Sequence, residues 1–263
     1  MKCEAWSTGL VLIALTAACH SGAQTTQPAT QPAAHSDPVD SWLDRIEHRS
    51  AQIATLQARL RYDRIQVLVG DEQRRFGKLF YEAGPPARFA IHFDKLVTDQ
   101  NRLERQDRWY IFDGRWLVER LDDQKQYRKY EIIPPDAEPE QADPLALGQG
   151  PFAVPLDFRK DRVLQRFEAS LVAPADDDPP DTVHLHLVPK PGFGSDVTEI
   201  DLWYDRQSLL PVRARTIDES ENEAVIDLTR PRVNEPVDPT LFDTSVPKAR
   251  GWLVEIKPWE EGE

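Results

Sequence analysis

Residues 109–119, WYIFDGRWLVE, decide the fold. Two runs rich in aromatic and branched residues flank Asp113-Gly114. A dipeptide of that kind supplies the positive φ angles that a two-residue hairpin turn demands. The stretch therefore reads as two antiparallel strands, 108–113 and 116–121. Outward from it, apolar and polar residues keep alternating with a period of two. The expected strands are 57–69, 74–82, 87–94, 97–104, 125–132, 163–172, 182–188, 197–204, 211–218 and 223–229. Turn signals separate many of them: Gly70-Asp71, Gly84-Pro85-Pro86, Asp122-Asp123 and the stretch 176–181. Trp42, Leu43 and Ile46, with Ile53 and Leu56 further on, recur at helical spacing. They predict a helix over 39–54, capped by Asp40 or Ser41. Short strands in series with tight turns predict a mainly β (α+β) fold built on one strongly curved antiparallel sheet.

Residues 134–162 interrupt this meander with prolines, acids and a small apolar group of Leu145, Leu147, Phe152 and Val154. So long a loop inside a compact domain is usually functional or mobile. A short helix within 141–148 and a loop folded over the sheet are expected. No repeat and no shift in composition follows residue 40, so 40–263 reads as one domain.

The chain has 263 residues, with 32 Lys and Arg against 45 Asp and Glu, a formal charge of −13. With no basic run, it is a poor partner for nucleic acid, whose phosphates need clustered cations. Hydrophobic residues make up 40 %, enough for a core with little surplus. Pro at 22 residues against Gly at 12 argues against a helical bundle.

Cys3 and Cys19 are the only cysteines. The apolar run from Gly9 to Ala18 is too short to span a bilayer as a helix and reads as an export signal. Leu15-Thr16-Ala17-Ala18-Cys19 resembles the bacterial lipobox. That resemblance implies a signal peptide over 1–18 and a lipid attached to Cys19; an ordinary signal cut after Ala18 or near Ala23 is the alternative. Residues 20–38 are rich in Ser, Thr, Gln, Pro and Ala, so 19–39 is expected to be a disordered tether.

Signals of catalysis are weak. There is no G-x-S-x-G elbow, no phosphate loop and no dinucleotide fingerprint. No catalytic residue, metal or cofactor is assigned. His184 and His186 share one face of a strand, but no third ligand accompanies them. The aspartates at 176–178 and 181 lack the spacing of a calcium loop. Trp109, Trp116 and Trp203 alternate with polar neighbours, as an inward sheet face does. They fit core packing or the wall of an apolar cavity.

Taken in order, the pieces resemble the periplasmic lipoprotein carriers of the LolA/LolB type. The matching pieces are 53–58 (IATLQA), 77–81 (GKLFY), 86–89 (PARF), 109–117 (WYIFDGRWL), 151–156 (PFAVPL), 187–190 (LVPK), 200–205 (IDLWYD), 210–211 (LP), 234–242 (NEPVDPTLF), 246–247 (VP) and 251–252 (GW). The resemblance implies an incomplete barrel, with an N-terminal helix and a short lid helix over an apolar cavity. It implies a non-enzymatic protein that binds or carries acyl chains, its partners being lipid or acylated lipoprotein cargo and envelope transport proteins. The cavity would draw on Leu79, Tyr81, Phe89, Ile91, Trp109, Ile111, Leu117 and Trp203, and the lid on Leu145, Leu147, Phe152 and Val154. Where the soluble carrier holds its lid with an Arg, this chain reads Ala83-Gly84-Pro85, and Arg88 comes further on. The expected location is the periplasm of a Gram-negative-type bacterium, with a monomeric body held to a membrane only by its lipid. A different use of the same sheet, as a protein-interaction or sensor module without lipid, remains open.

Overall fold

A computed structural model describes residues 38–98, 102–134, 152, 154–192 and 195–259. All belong to one compact unit, Asp37–Glu263. The signal peptide, Cys19, the tether up to residue 37, and Leu145 and Leu147 with their expected helix lie outside the described residues, while Val39, expected in the tether, opens the first helix.

The alternating sequence forms a single curved, unclosed sheet of 12 strands. In chain order these are β1 (Thr55–Gln66), β2 (Asp71–Glu82), β3 (Arg88–Thr98), β4 (Leu103–Phe112), β5 (Trp116–Leu121), β6 (Gln126–Glu131), β7 (Phe167–Val172), β8 (Thr182–Pro189), β9 (Glu199–Asp205), β10 (Pro211–Ile217), β11 (Glu223–Val233) and β12 (Leu253–Lys257). Their order across the sheet is β12-β6-β5-β4-β3-β2-β1-β11-β10-β9-β8-β7. Every pair is antiparallel except β12 against β6. Register shifts at Gln57/Arg59, Phe76/Gly77, Phe93/Lys95 and Pro211/Arg213 break the ladder, and such bulges sharpen the twist of a wide sheet.

Several boundaries differ from those read in the sequence. The expected strand 97–104 does not exist as a unit: its start closes β3 and its end opens the long β4. Residues 160–166 form a second helix, α2, because Val163 packs inward at a helical position before Phe167 opens β7. The first helix, α1, spans Val39–Ser50 and carries no side-chain cap; Asp40 sits in its first turn. The central hairpin turns on Gly114 and Arg115, one place later than expected. There Asp113 N–H donates to Trp116 O, and the Asp113 carboxylate accepts from the N–H groups of Arg115 and Trp116.

The register defines two faces. On the front face, α1 and α2 lie over β7–β10. Trp42, Leu43 and Ile46 pack there with Val163, Leu185, Leu187, Leu202 and Tyr204. On the back face, the chain after β11 returns across β3–β6. Phe242, in a 3-10 turn at Pro239–Phe242, joins Ala90, Ile111, Val118 and Tyr127. No helix among the described residues is long and apolar enough to cross a membrane.

Candidate acyl-binding face

The other half of the front face is a second apolar cluster. Strand parity places Leu56, Ala58, Leu60 and Tyr62 of β1 on it, and Leu79 and Tyr81 of β2. Phe89, Ile91 and Phe93 of β3, Phe112 of β4, and Ile226 and Leu228 of β11 complete it. Leu79, Ile91 and Phe93 are fully buried. Among the described residues, no helix covers this half. Its cover is a strap carrying Phe152, Val154 and Leu156, with Ile53 and Leu210 at the margin. Phe152 sits with its ring centroid 4.8 Å from Tyr110, 5.6 Å from Tyr62 and 6.1 Å from Phe93. The far end of the strap is tied to α1: Ser50 Oγ donates to Leu156 O at 2.6 Å and accepts from Phe158 N–H at 2.9 Å.

Towards the β1–β2 hairpin the apolar floor ends in a charged rim. Tyr62 pairs with Arg75, and Phe93 with Arg108. Glu119 accepts from Arg108, from Tyr110 OH at 3.1 Å and from Arg128 at 3.2 Å. Burial alone would raise the Glu119 pKa; the bonds from Arg108, Tyr110 and Arg128 outweigh it and hold it low. Burial pushes Tyr110 up to about 12. Among the described residues Arg75 has no carboxylate partner, and its Nη2 donates to Gln73 Oε1 at 2.6 Å. Burial first, and then the charge of Arg108, lower its pKa, and its buried Nε has no hydrogen-bond partner. A guanidinium left this way carries a desolvation penalty that an anion would relieve. Beyond the rim, the hairpin tip exposes Val67, Leu68 and Val69.

Of the eight cavity residues expected from the sequence, the structure brings five together on the front face: Leu79, Tyr81, Phe89, Ile91 and Leu117. Trp109, Ile111 and Trp203 lie on the back face. Trp109 and Ile111 pack against the returning C-terminal segment. Trp109 stacks on His92 at 4.0 Å and Trp203 on His184 at 4.2 Å. Phe152 and Val154 are buried in the front-face cluster. Arg88 pairs with Glu82 and lies over the Phe242 ring, away from the strap. Tyr62, Phe93, Tyr110, Arg75 and Arg108 were not singled out in the sequence. The parity of β4 was the available signal: Phe112 pairs with Leu117, so the residue sharing Leu117's face is Tyr110 rather than Trp109.

His184 and His186 converge on Asp201, at 2.9 and 2.8 Å, and Arg215 reaches its other oxygen at 3.1 Å. No group of three or more His, Cys, Asp or Glu placed to hold a metal occurs among the described residues. Burial works to raise the Asp201 pKa, but the two histidine bonds prevail and lower it to about 2. A depressed carboxylate stabilises the fold above its unfolded pKa and loses that contribution as pH falls through the folded one. The loss here runs from about pH 4 to about pH 2 and is worth roughly 2 kcal/mol. Urea midpoints at pH 5 and pH 2.5 should therefore differ less in Asp201→Asn than in the parent. Equal differences would show that this triad does not couple to folding.

No family model matches the sequence, and no curated protein matches it. Among solved structures, the chain is similar to an uncharacterized conserved protein from Thermus thermophilus, at 11% identity over 84% of this chain and 99% of that one, TM-score 0.47. It is similar to a putative outer membrane lipoprotein-sorting protein domain from Vibrio parahaemolyticus, at 9% identity over 78% and 97%, TM-score 0.39. It is also similar to a LolA superfamily protein from Nitrosomonas europaea, at 11% identity over 78% and 97%, TM-score 0.35. The likeness is one of fold alone.

Proposed function

We propose that the strap-covered half of the front face binds acyl chains of a lipid or an acylated lipoprotein, without catalysis. The observation that carries this reading is the cover itself. Among the described residues, a sheet face several strands wide is covered by one irregular segment bearing three apolar side chains, and no helix lies over it. An acyl chain offers the same burial as Phe152, Val154 and Leu156, at ~0.8 kcal/mol per CH₂ group removed from water. It can therefore replace them. Arg75 and Arg108 at the rim suit an anionic headgroup, and the exposed Val67-Leu68-Val69 tip lies at the same end. Several sequence pieces that resemble the lipoprotein carriers, at 77–81, 86–89 and 151–156, supply much of this face. In this reading the protein belongs to the cell envelope, with its body in the periplasm and its anchor at Cys19.

Native mass spectra of the full chain, produced in a bacterium with its own leader and purified in mild detergent, test both claims. Bound masses of phospholipid or acylated peptide are expected, together with a diacylglyceryl mass that stays on the protein after denaturation. A clean apo mass, with no binding of a fluorescent fatty acid, would overturn the acyl reading. A second reading is favoured by the strap already filling the face. In it, the sheet is an interaction or sensor surface with no lipid cargo, and the apo outcome would select it.

A further inference from the structure

We infer that the back face carries a second binding site, a basic trough for an extended acidic segment of a partner protein. A groove of about 800 Å³ crosses β2, β1 and β11 on the side opposite the strap. A second of about 430 Å³ continues it along the same strands, and the two share Arg59 and Lys78. Together their linings hold seven cations (Arg59, Arg61, Lys78, Lys95, Arg213, Arg230 and Arg232) against two acids, Asp94 and Asp227. In a chain of formal charge −13, a local surplus of five positive charges is a strong reversal.

Four of the seven cations are unneutralised. Asp227 is taken up by Arg61 and Arg213, Arg61 is also paired with Asp63, and Arg232 is held by Gln57 and Glu235. The side chains of Arg59, Lys78, Lys95 and Arg230 have no ion pair or hydrogen bond among the described residues. Arg59, Lys78 and Arg230 are exposed, so their charges face the trough's solvent. A cleft walled by one sign of charge concentrates the opposite charge within it.

The shape selects the occupant. The trough follows β1 from Arg61 to Gln57, roughly 13–17 Å of extended chain. Cations recur at every second residue, at Arg59 and Arg61 and again at Arg230 and Arg232. On β2 the face alternates aromatic, cation, aromatic, through Phe76, Lys78 and Phe80. An extended peptide repeats its side chains at that same two-residue pitch of ~6.6–7 Å, so alternating acids and apolar residues would match the floor. A free phosphate would use a single pair of these cations. A nucleic acid is disfavoured by the chain's formal charge of −13.

The test is fluorescence anisotropy of the full chain with a labelled octapeptide of alternating glutamate and leucine. The same peptide with lysine for glutamate, a single-stranded octanucleotide and inorganic phosphate serve as comparisons. The acidic peptide is expected to bind, and to bind less tightly as salt rises. The double variant Arg59→Glu/Lys78→Glu should weaken it about tenfold or more, with an unchanged melting curve because both side chains are exposed and unpaired. Undiminished binding in that folded variant overturns the proposal. So does equal binding of the lysine peptide, tighter binding of the octanucleotide, or displacement by phosphate at equimolar concentration.

Discussion

Gly77→Ala is expected to destabilise the protein by about 3 kcal/mol and to lower its melting temperature by roughly 6–12 °C, read by calorimetry. Position 77 shares the front face with Leu79 and Tyr81, at the register shift between β2 and β3. A Cβ there would lie 2.0 Å from His92 O, 2.8 Å from His92 C and 3.0 Å from Phe93 Cα. All three are backbone atoms, so no side-chain rotation relieves the overlap. The strands would have to part where Phe93 meets Tyr62 and Phe152, and the core at the base of the strap would loosen with them. Gly192 is the contrast. Open space surrounds it, its φ is +88°, and alanine there meets only the backbone penalty of about 1 kcal/mol. If Gly77→Ala melts within 2 °C of the parent, the close approach of β3 is not as described.

The sheet was legible because its signal is local and repeated. The period-two alternation in GKLFY and WYIF, and the turn chemistry around Gly114, follow from backbone geometry that each short segment obeys alone. The strand at 97–104 misled for the same local reason: polar residues in the middle of a long strand look like a turn when neighbours are unknown. The face of each side chain was less legible. Trp109 and Ile111 are larger and more apolar than the average outward residue, and on hydrophobicity alone they belong with Leu117. They are apolar because the chain after β11 folds back over them, a contact more than 100 residues away in sequence. Trp203 is buried for another reason: it stacks on His184, and its Nε1–H donates to Asp178 at 2.7 Å. Here a large aromatic residue marks a second covered face rather than the first. Arg75 was invisible as a site residue because nothing in its neighbourhood of sequence shows that Arg108 and Tyr110 will be brought beside it.

These two covered faces divide the work between different kinds of cover. The C-terminal segment is fixed by polar ties: Tyr127 OH donates to Thr244 O at 2.5 Å, and Gln57 Nε2 donates to Pro236 O at 3.0 Å. The strap has its ties at one end only among the described residues, through Ser50. Covers held by few polar bonds are the ones that open at low free-energy cost. The face beneath the strap is thus the better candidate for an exchangeable ligand, and the face beneath the C-terminal segment for permanent structure.

Phe152→Ala should separate filling from gating. Phe152 is 3 % exposed and holds the centre of an aromatic group with Tyr62, Phe93 and Tyr110. Removing so buried a ring costs about 3–5 kcal/mol through lost burial and the cavity left behind. If the ring is only core, the loss is the whole effect. If it holds the place of an acyl chain, the parent binds that chain with an affinity reduced by the free energy of displacing it. The variant no longer bears that penalty. A fluorescent fatty acid should then bind Phe152→Ala more tightly than the parent, by about tenfold or more. Saturating fatty acid should also restore much of the lost stability, about 2.7 kcal/mol at 100 times its Kd. Calorimetric melts with and without the fatty acid, beside a fluorescence titration, read both effects. A destabilised variant with no gain in binding would mean the apolar face is closed core, and the acyl-binding proposal would fall with it.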